Sequence, residues 1–399
     1  MSLPVTSFPP LHLKGRELLP IIQGGMAVGV SAHRLAGSVA RLGGVGTIGS
    51  VDLRQLHPDL MERSTRAPGL IGGALKGALK GAINAANLVA IDREVRTAKE
   101  IAQGGGMVAV NVMRAISEYK AYVKQACESG ADAIVMGAGL PLDLPEMVTD
   151  YPHVALIPVL SDVRGISLLV KKWQRKGRLP DAIIIENPRY AGGHLGAAHL
   201  NDIDDPRFDF ETVLPGVIAM FKDMSIDPAS VPLIPAGSIN SFEKVQKLFA
   251  LGASAVQVGT AFAVTEEGDA HPNFKRVLAD AMPEDIVTFM SVAGLPVRAV
   301  RTPWLVNYLK RSEKLCAVTA DKSHKCAQAW DCLISCGQRD SLPKAGQFCI
   351  ANQLAAALRG DVEKGLFFRG AESLPFGQEI RPVRELIDYL LSGKVRQVA

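Results

Sequence analysis

The stretch ENPRYAGGHLG (Glu186–Gly196) sets His194 after two glycines and one residue before a third. An imidazole titrates near neutrality, so on a glycine-rich loop it suits general-base work. It can equally serve the loop alone, by bonding its backbone. Asn111 interrupts the apolar run MVAVNV (Met107–Val112). A buried amide must find partners, either in a ligand or in neighbouring loops. GGMAVGVS (Gly24–Ser31) offers Gly24 and Gly25, where backbone can approach a flat ligand or simply turn tightly into a helix. PAGSIN (Pro235–Asn240) and QVGTAF (Gln257–Phe262) supply Gly237, Ser238, Gly259 and Thr260. Small residues and hydroxyls of this kind suit a phosphate held by backbone N–H groups. They point to a phosphorylated ligand, for which FMN is one natural candidate. Neither a GxGxxG followed by an acid nor a Walker A loop is present, which disfavours a Rossmann NAD domain and a P-loop.

Eight short apolar runs position these residues: Pro20–Gln23, Gly44–Gly49, Met107–Val112, Ala133–Gly137, Ala155–Leu160, Ala182–Glu186, Pro232–Gly237 and Ala255–Gly259. Few alternate strictly with polar residues, so they read as parallel strands buried on both faces. Amphipathic helix patterns lie between them over Ala32–Leu42, Glu118–Ser129, Gly165–Gly177, Glu211–Lys222 and Phe242–Leu251, with Ser31 as the expected cap of the first. Gly43, Gly130, Gly177 and Gly252 are expected to stop helices. Eight βα steps predict an α/β fold, a TIM (β/α)8 barrel, with a doubly wound open sheet as the competitor. In such a barrel the active site sits at the carboxyl ends of the strands. That is where His194, Asn111 and the four phosphate-suited residues fall.

The chain has 399 residues, 48% apolar and 21% charged, which describes a globular protein with a substantial core. Lys+Arg minus Asp+Glu is 44 − 40 = +4, too small and scattered an excess to argue for nucleic acid. No apolar stretch reaches membrane-spanning length, and the first twenty residues lack a signal-peptide core, so a cytoplasmic protein is expected.

Leu75, Leu79 and Ile83 fall four apart within Gly69–Ile91, while Lys76 and Lys80 share another face. A helix packed on the barrel is expected there; a membrane-surface helix is the rival reading. From Arg301 to Ala399 the pattern changes to a mainly helical C-terminal extension, setting a barrel domain of 1–300 against an appendage of 301–399. Five of the six cysteines fall in it: Cys316, Cys326, Cys332, Cys336 and Cys349, spaced C-x9-C-x5-C-x3-C-x12-C with His324 between the first two. Thiolates can hold an iron–sulfur cluster or zinc, but none of these intervals is the C-x2-C knuckle of a zinc site; reduced buried or surface thiols are the leading reading, and no metal ligand is assigned. Cys332 and Cys336 would share a face if helical, and Cys127 reads as structural.

PIIQGGMAVGVS, VNVM, AGGHLG, IPAGSI and GASAVQVGTAF follow one another at these strands, and together they resemble the nitronate monooxygenase (2-nitropropane dioxygenase) family over about residues 15–300. That family includes flavin-dependent enoyl-ACP reductases and NAD(P)H:quinone reductases. The resemblance implies a TIM barrel holding non-covalent FMN. It makes Asn111 a flavin contact and sets Gly192 and Gly237 beside the cofactor. Gln257, Val258, Gly259 and Thr260 become the phosphate cradle, and His194 the base. Gly25, Met26, Ala27, Gly193 and Ser238 join the cofactor-binding set, as does Glu186. The chain departs from the family pattern in reading ENPRYAGGH, with Tyr190 where a shorter residue is usual, and in having Gly25 where many relatives have proline.

The expected activity is therefore FMN-dependent oxidation of nitronates or nitroalkanes by O2, with His194 taking an acidic α-proton. The alternative is an NAD(P)H-dependent flavin reductase of quinones or enoyl thioesters. A non-redox phosphate-binding barrel and a binding scaffold are the readings from other classes. Met26, Met113, Arg189 and Tyr190 are candidates for selecting a small-molecule substrate, and Arg114 and Arg189 for meeting an anionic one.

Overall fold

The computed structural model describes residues 4–65, 72–318 and 326–394. A two-residue turn at Lys14 and Gly15, both left-handed, joins β1 (Leu11–Leu13) to the antiparallel β2 (Arg16–Leu18). This is the turn hand that matches strand twist. Eight strands then close a parallel barrel. They are β3 (Ile21–Gln23), β4 (Val45–Gly49), β5 (Met107–Met113), β6 (Ala133–Gly137), β7 (Ala155–Leu160), β8 (Ile183–Glu186), β10 (Leu233–Ala236) and β11 (Val256–Val258), with β11 pairing back onto β3. The eight runs read from the sequence are these eight strands, and the open sheet is excluded. Between β8 and β10 lies the short β9 (Gly193–His194), which pairs with β13 (Pro296–Val300), itself paired with β12 (Ile286–Met290). That antiparallel sheet is absent from the strand list read from sequence.

The barrel interior is filled by alternate strand residues such as Ile22, Val45, Ala109, Val135, Ile157, Ile184 and Ile234. Leu11, Leu13 and Leu18 of the hairpin belong to the same cluster, so β1–β2 plugs the end where the strands begin. Helices His33–Arg41, Tyr119–Glu128, Val163–Gln174, Phe210–Asp223 and Phe242–Ala250 form the outer layer, close to the expected bounds. Gly43, Gly130, Gly177 and Gly252 have φ of 95°, 90°, 70° and 101°, the left-handed stops their residue type permits.

Ser31 does not cap the first helix. Its hydroxyl accepts the Met26 N–H at 2.8 Å, and the Asp269 carboxylate takes the N–H groups of Ala32, Arg34 and Leu35 at 2.8, 3.0 and 3.1 Å. A carboxylate from far along the chain offsets the helix dipole better than a neighbouring hydroxyl and frees Ser31 to shape the β3 exit loop.

Helix Gly72–Ala102 packs Ala90, Ile91, Val95 and Ala98 into the outer layer and Ile83 against Trp330 and Ala351. Lys76 and Lys80 reach Asp331 and Glu118 at 3.3 and 3.9 Å, so its basic face is used within the molecule. Residues 69–71 of the segment lie outside the described residues. Among the described residues no helix is long and apolar enough to cross a membrane. The C-terminal region carries helices Pro303–Val318, Ile350–Leu358 and Val383–Ser392. Cys332 and Cys336 are not helical as expected; they stand in an irregular stretch between the first two of these helices.

Candidate active site

At the carboxyl ends of the strands one cavity collects every residue singled out for cofactor or catalysis. Strand register explains the convergence. Glu186 pairs with Ala236, which pairs with Gln257, so three neighbouring strands end level. On the opposite arc Asn111 lies beside Gly49. The β3 exit contributes Gly24, Gly25, Met26 and Ala27; the β8 exit contributes Gly192, Gly193 and His194; the β10 and β11 exits contribute Gly237, Ser238, Val258, Gly259 and Thr260.

Close approaches account for two of the glycines. A Cβ on Gly25 would overlap the side chain of Asn111, and one on Gly192 would meet the backbone of Arg369 and Gly370 at 2.6 Å. Gly259 differs, since its Cβ position opens on empty space.

His194 is half-buried on the cavity wall, its Nε2 3.2 Å from Ser291 Oγ and its ring edge-on to Phe368 at 6.0 Å. Burial presses its pKa down to about 4, so the ring is neutral at physiological pH. Glu186 shows the opposite effect: burial lifts its carboxyl to about 7, against a smaller pull downward from Arg298. Arg298 is buried on β13, next to the residue that pairs with His194. Its guanidinium donates to the carbonyls of Pro188 (3.1 Å) and Ala191, which fixes the loop carrying the histidine.

The residues present fit a flat, polar-edged group with a terminal anion. Gln257 Oε1 is buried with no hydrogen-bond partner in the protein, an acceptor aimed at a donor still to come. Around Ser238, whose φ is +61°, Lys244 Nζ lies 2.8 Å from Oγ and 3.4 Å from the Glu372 carboxylate, which already pairs its charge in part. Thr260 Oγ1 accepts the Gly370 N–H at 3.0 Å, leaving its own proton for an anion.

Met26, Met113 and Tyr190 line the cavity. Arg189 does not: it is held by Asp204 and Asp209 at 3.3 and 2.8 Å. Arg114 is likewise engaged, 3.6 Å from Asp143 and over the Tyr119 ring. Sequence reading missed Ser291, Arg298, Lys244 and the wall that residues 354–375 supply, including Leu354, Phe368, Glu372 and Ser373. A signal for the first two exists: VTFMSVAGLPVRAV sets two β-branched runs around a Gly-Leu-Pro turn, a hairpin pattern.

Fold and cavity together define an α/β barrel with a cavity at the carboxyl face of its strands, the face where barrel enzymes carry their active sites. The nitronate monooxygenase family model matches residues 13–393, so the chain belongs to the nitronate monooxygenase family of oxidoreductases. A probable nitronate monooxygenase of Bacillus subtilis is 25% identical over 290 residues, covering 72% of this chain and 77% of that one. The Staphylococcus saprophyticus protein of the same description is 24% identical, covering 72% and 76%. Among solved structures, FabK from Thermotoga maritima superposes with a TM-score of 0.61 at 24% identity, over 93% of this chain and 91% of that chain. The nitroalkane oxidase of Streptomyces ansochromogenes does so with a TM-score of 0.60 at 18% identity, over 93% and 94%. These two likenesses establish the shared fold.

Proposed function

We propose that this oxidoreductase holds FMN in the barrel-mouth cavity and oxidises nitronates or nitroalkanes with molecular oxygen. The observation that carries the reading is a neutral imidazole, His194, on the wall of a cavity whose floor is glycine and whose unpaired acceptor is Gln257. Asn111, Gln257 and Glu186 would take the polar edge of the flavin, and Gly24 to Ala27 would lie along its face. Gly237, Ser238, Gly259 and Thr260 would hold the phosphate, with Lys244 as its counter-charge. Gly192 and Gly193 would border the ring. Bound FMN supplies the electron transfer between substrate and oxygen.

The protein's own part is binding, orientation and the proton. Neutral His194 has one lone pair and can take the acidic α-proton of a nitroalkane; a nitronate has already lost it. Ser291 and Arg298 hold the ring and its loop, so the lone pair does not have to be reoriented for each turnover.

A second reading, an NAD(P)H-dependent reductase of quinones or enoyl thioesters, is favoured by a separate observation. Phe274, Leu278, Leu354, Ala357, Leu366 and Phe368 make one side of the cavity apolar, which suits an acyl chain. A visible spectrum of the purified protein, taken anaerobically before and after additions, tests both. Flavin bands that bleach with nitronate but not with NADH or NADPH support the first reading; rapid bleaching by a pyridine nucleotide supports the second. A colourless protein that takes up no FMN would defeat both.

A further inference from the structure

The β3 exit loop, Gly24–Ser31, holds an unfavourable backbone. Val28 is buried with a φ of 59°, a left-handed conformation that a β-branched side chain resists, and Gly29 follows at 86°. Such a turn persists only where its surroundings hold it. Its outer half rests on the segment after β4. The Val28 N–H donates to the Val51 carbonyl at 2.8 Å, and a Cβ on Gly29 would overlap the Leu56 side chain. Ser31 closes the loop by donating its N–H to the Met26 carbonyl at 3.2 Å.

The end of this loop and the shelf beneath it meet at one carboxylate. Glu94, on helix Gly72–Ala102, is 1% exposed. Its Oε2 accepts the backbone N–H of His33 at 2.8 Å and lies 2.8 Å from His33 Nδ1. Its Oε1 lies 2.9 Å from Nε2 of His57, the residue after Leu56, and that buried nitrogen has no hydrogen bond elsewhere. Asp269 takes the N–H groups of Ala32, Arg34 and Leu35, so Glu94 on His33 completes the four backbone donors of this helix start.

A buried carboxylate is a costly way to pack a helix. Burial works to raise the Glu94 pKa, but the contacts with His33 and His57 outweigh it and hold the group at about 2, so it is charged at neutral pH. A leucine there would pack helix Gly72–Ala102 on the barrel without that cost. It would not fix two separate segments of the barrel mouth at once.

We propose that Glu94 is a positioning residue, which locks the β3 exit loop in its strained form by holding His33 at the loop's end and His57 on the shelf beneath it. What the loop carries, the flavin face along Gly24 to Ala27, rests on the function proposed above; the brace itself consists of the chain's own contacts. A hydrogen bond to a charged group and the strain at a left-handed Val28 are similar in size. Without the brace the relaxed loop becomes the major form, and binding a flavin has to restore the strained one.

Hydrogen exchange on the flavin-free full chain reads the brace directly. E94Q keeps the size of the side chain but turns one acceptor into a donor facing His57; H57L removes one contact and leaves Glu94 in place. In both, the Val28 and Ser31 amides should lose about tenfold or more of their protection, while the barrel strands keep theirs. H57Q, which restores an N–H donor, should recover most of it. D59N breaks the exposed Asp59–Arg93 pair of the same helix, whose two bonds are each 2.9 Å, and should leave the loop amides as in the wild type. FMN titration then joins brace to site: E94Q and H57L should bind FMN about tenfold more weakly, and H57Q and D59N close to normally. Unchanged loop amides in E94Q and H57L overturn the brace. Lost protection with wild-type FMN affinity overturns the positioning role. A wild-type chain that binds no FMN defeats the flavin reading, and with it the role toward the cofactor, whatever the exchange shows.

Discussion

His194 Nε2 and Ser291 Oγ lie 3.2 Å apart, although 97 residues of chain separate them. The pairing of β9 with β13 makes the contact, with Val297 opposite His194. Ser291 Oγ also accepts the Ala293 N–H at 3.2 Å, so the hydroxyl is itself held in place. Removing it in Ser291→Ala should leave flavin content unchanged and lower kcat for neutral nitroalkanes about tenfold, the equivalent of about 1.4 kcal/mol of lost orientation. Steady-state kinetics beside a flavin-to-protein ratio check this; an unchanged kcat assigns Ser291 no positioning role.

His194→Ala separates proton removal from the rest of the reaction. Turnover of a neutral nitroalkane should drop by roughly 10²–10⁴, whereas turnover of the matching nitronate, already deprotonated, should fall far less. Equal losses on the two substrates would show that the imidazole contributes something other than a base.

The pH dependence follows from burial. With its pKa near 4, His194 stays neutral at pH 5. The free-enzyme kcat/KM for a neutral nitroalkane should therefore show no histidine-type loss at about pH 6.5, and should fall only as pH drops toward 4. The unfolded chain takes this proton first, so the histidine's stabilising contribution also declines as pH falls below about 6.5.

Glu186 acts in the opposite sense. Its carboxyl, lifted to about 7, keeps a proton in the folded state that the unfolded chain has already released, so the stability it contributes at low pH is lost as pH rises through 7. Glu186→Gln should therefore melt higher than the wild type at pH 8, with the difference shrinking by pH 4.5. The displacement from 4.5 to about 7 sets a ceiling of about 3 kcal/mol on the gain. Thermal melts of flavin-free protein at the two pH values measure it.

Gly25→Ala should cost about 1–3 kcal/mol through overpacking against Asn111 and should abolish flavin binding in a chain that still folds. Yellow protein of normal flavin content would show that Asn111 can move aside.

The parallel barrel was legible because its strands are continuous apolar runs and its loops carry glycine where φ turns positive, as at Gly43 and Gly252. The cavity floor was legible for the same reason, since residues at strand ends are fixed by register. Side walls were not. Arg298 reads in sequence as one more surface charge, and only the tertiary fold reveals it buried against two loop carbonyls. Ser31 misled because its type suits a cap, while Asp269 takes that place from 237 residues away. Phe368 and Ser373 belong to a far segment whose docking no local pattern announces.

That segment is tied down by Gly370 on Thr260 and by Ser373 on Asn240. It supplies Phe368, Gly370, Glu372, Ser373, Leu374 and Pro375 to the chamber. The chamber is consequently roofless in a nascent chain until this segment has been made and docked. A premature stop codon ahead of Leu366 should yield an apoprotein instead of a weakened holoenzyme.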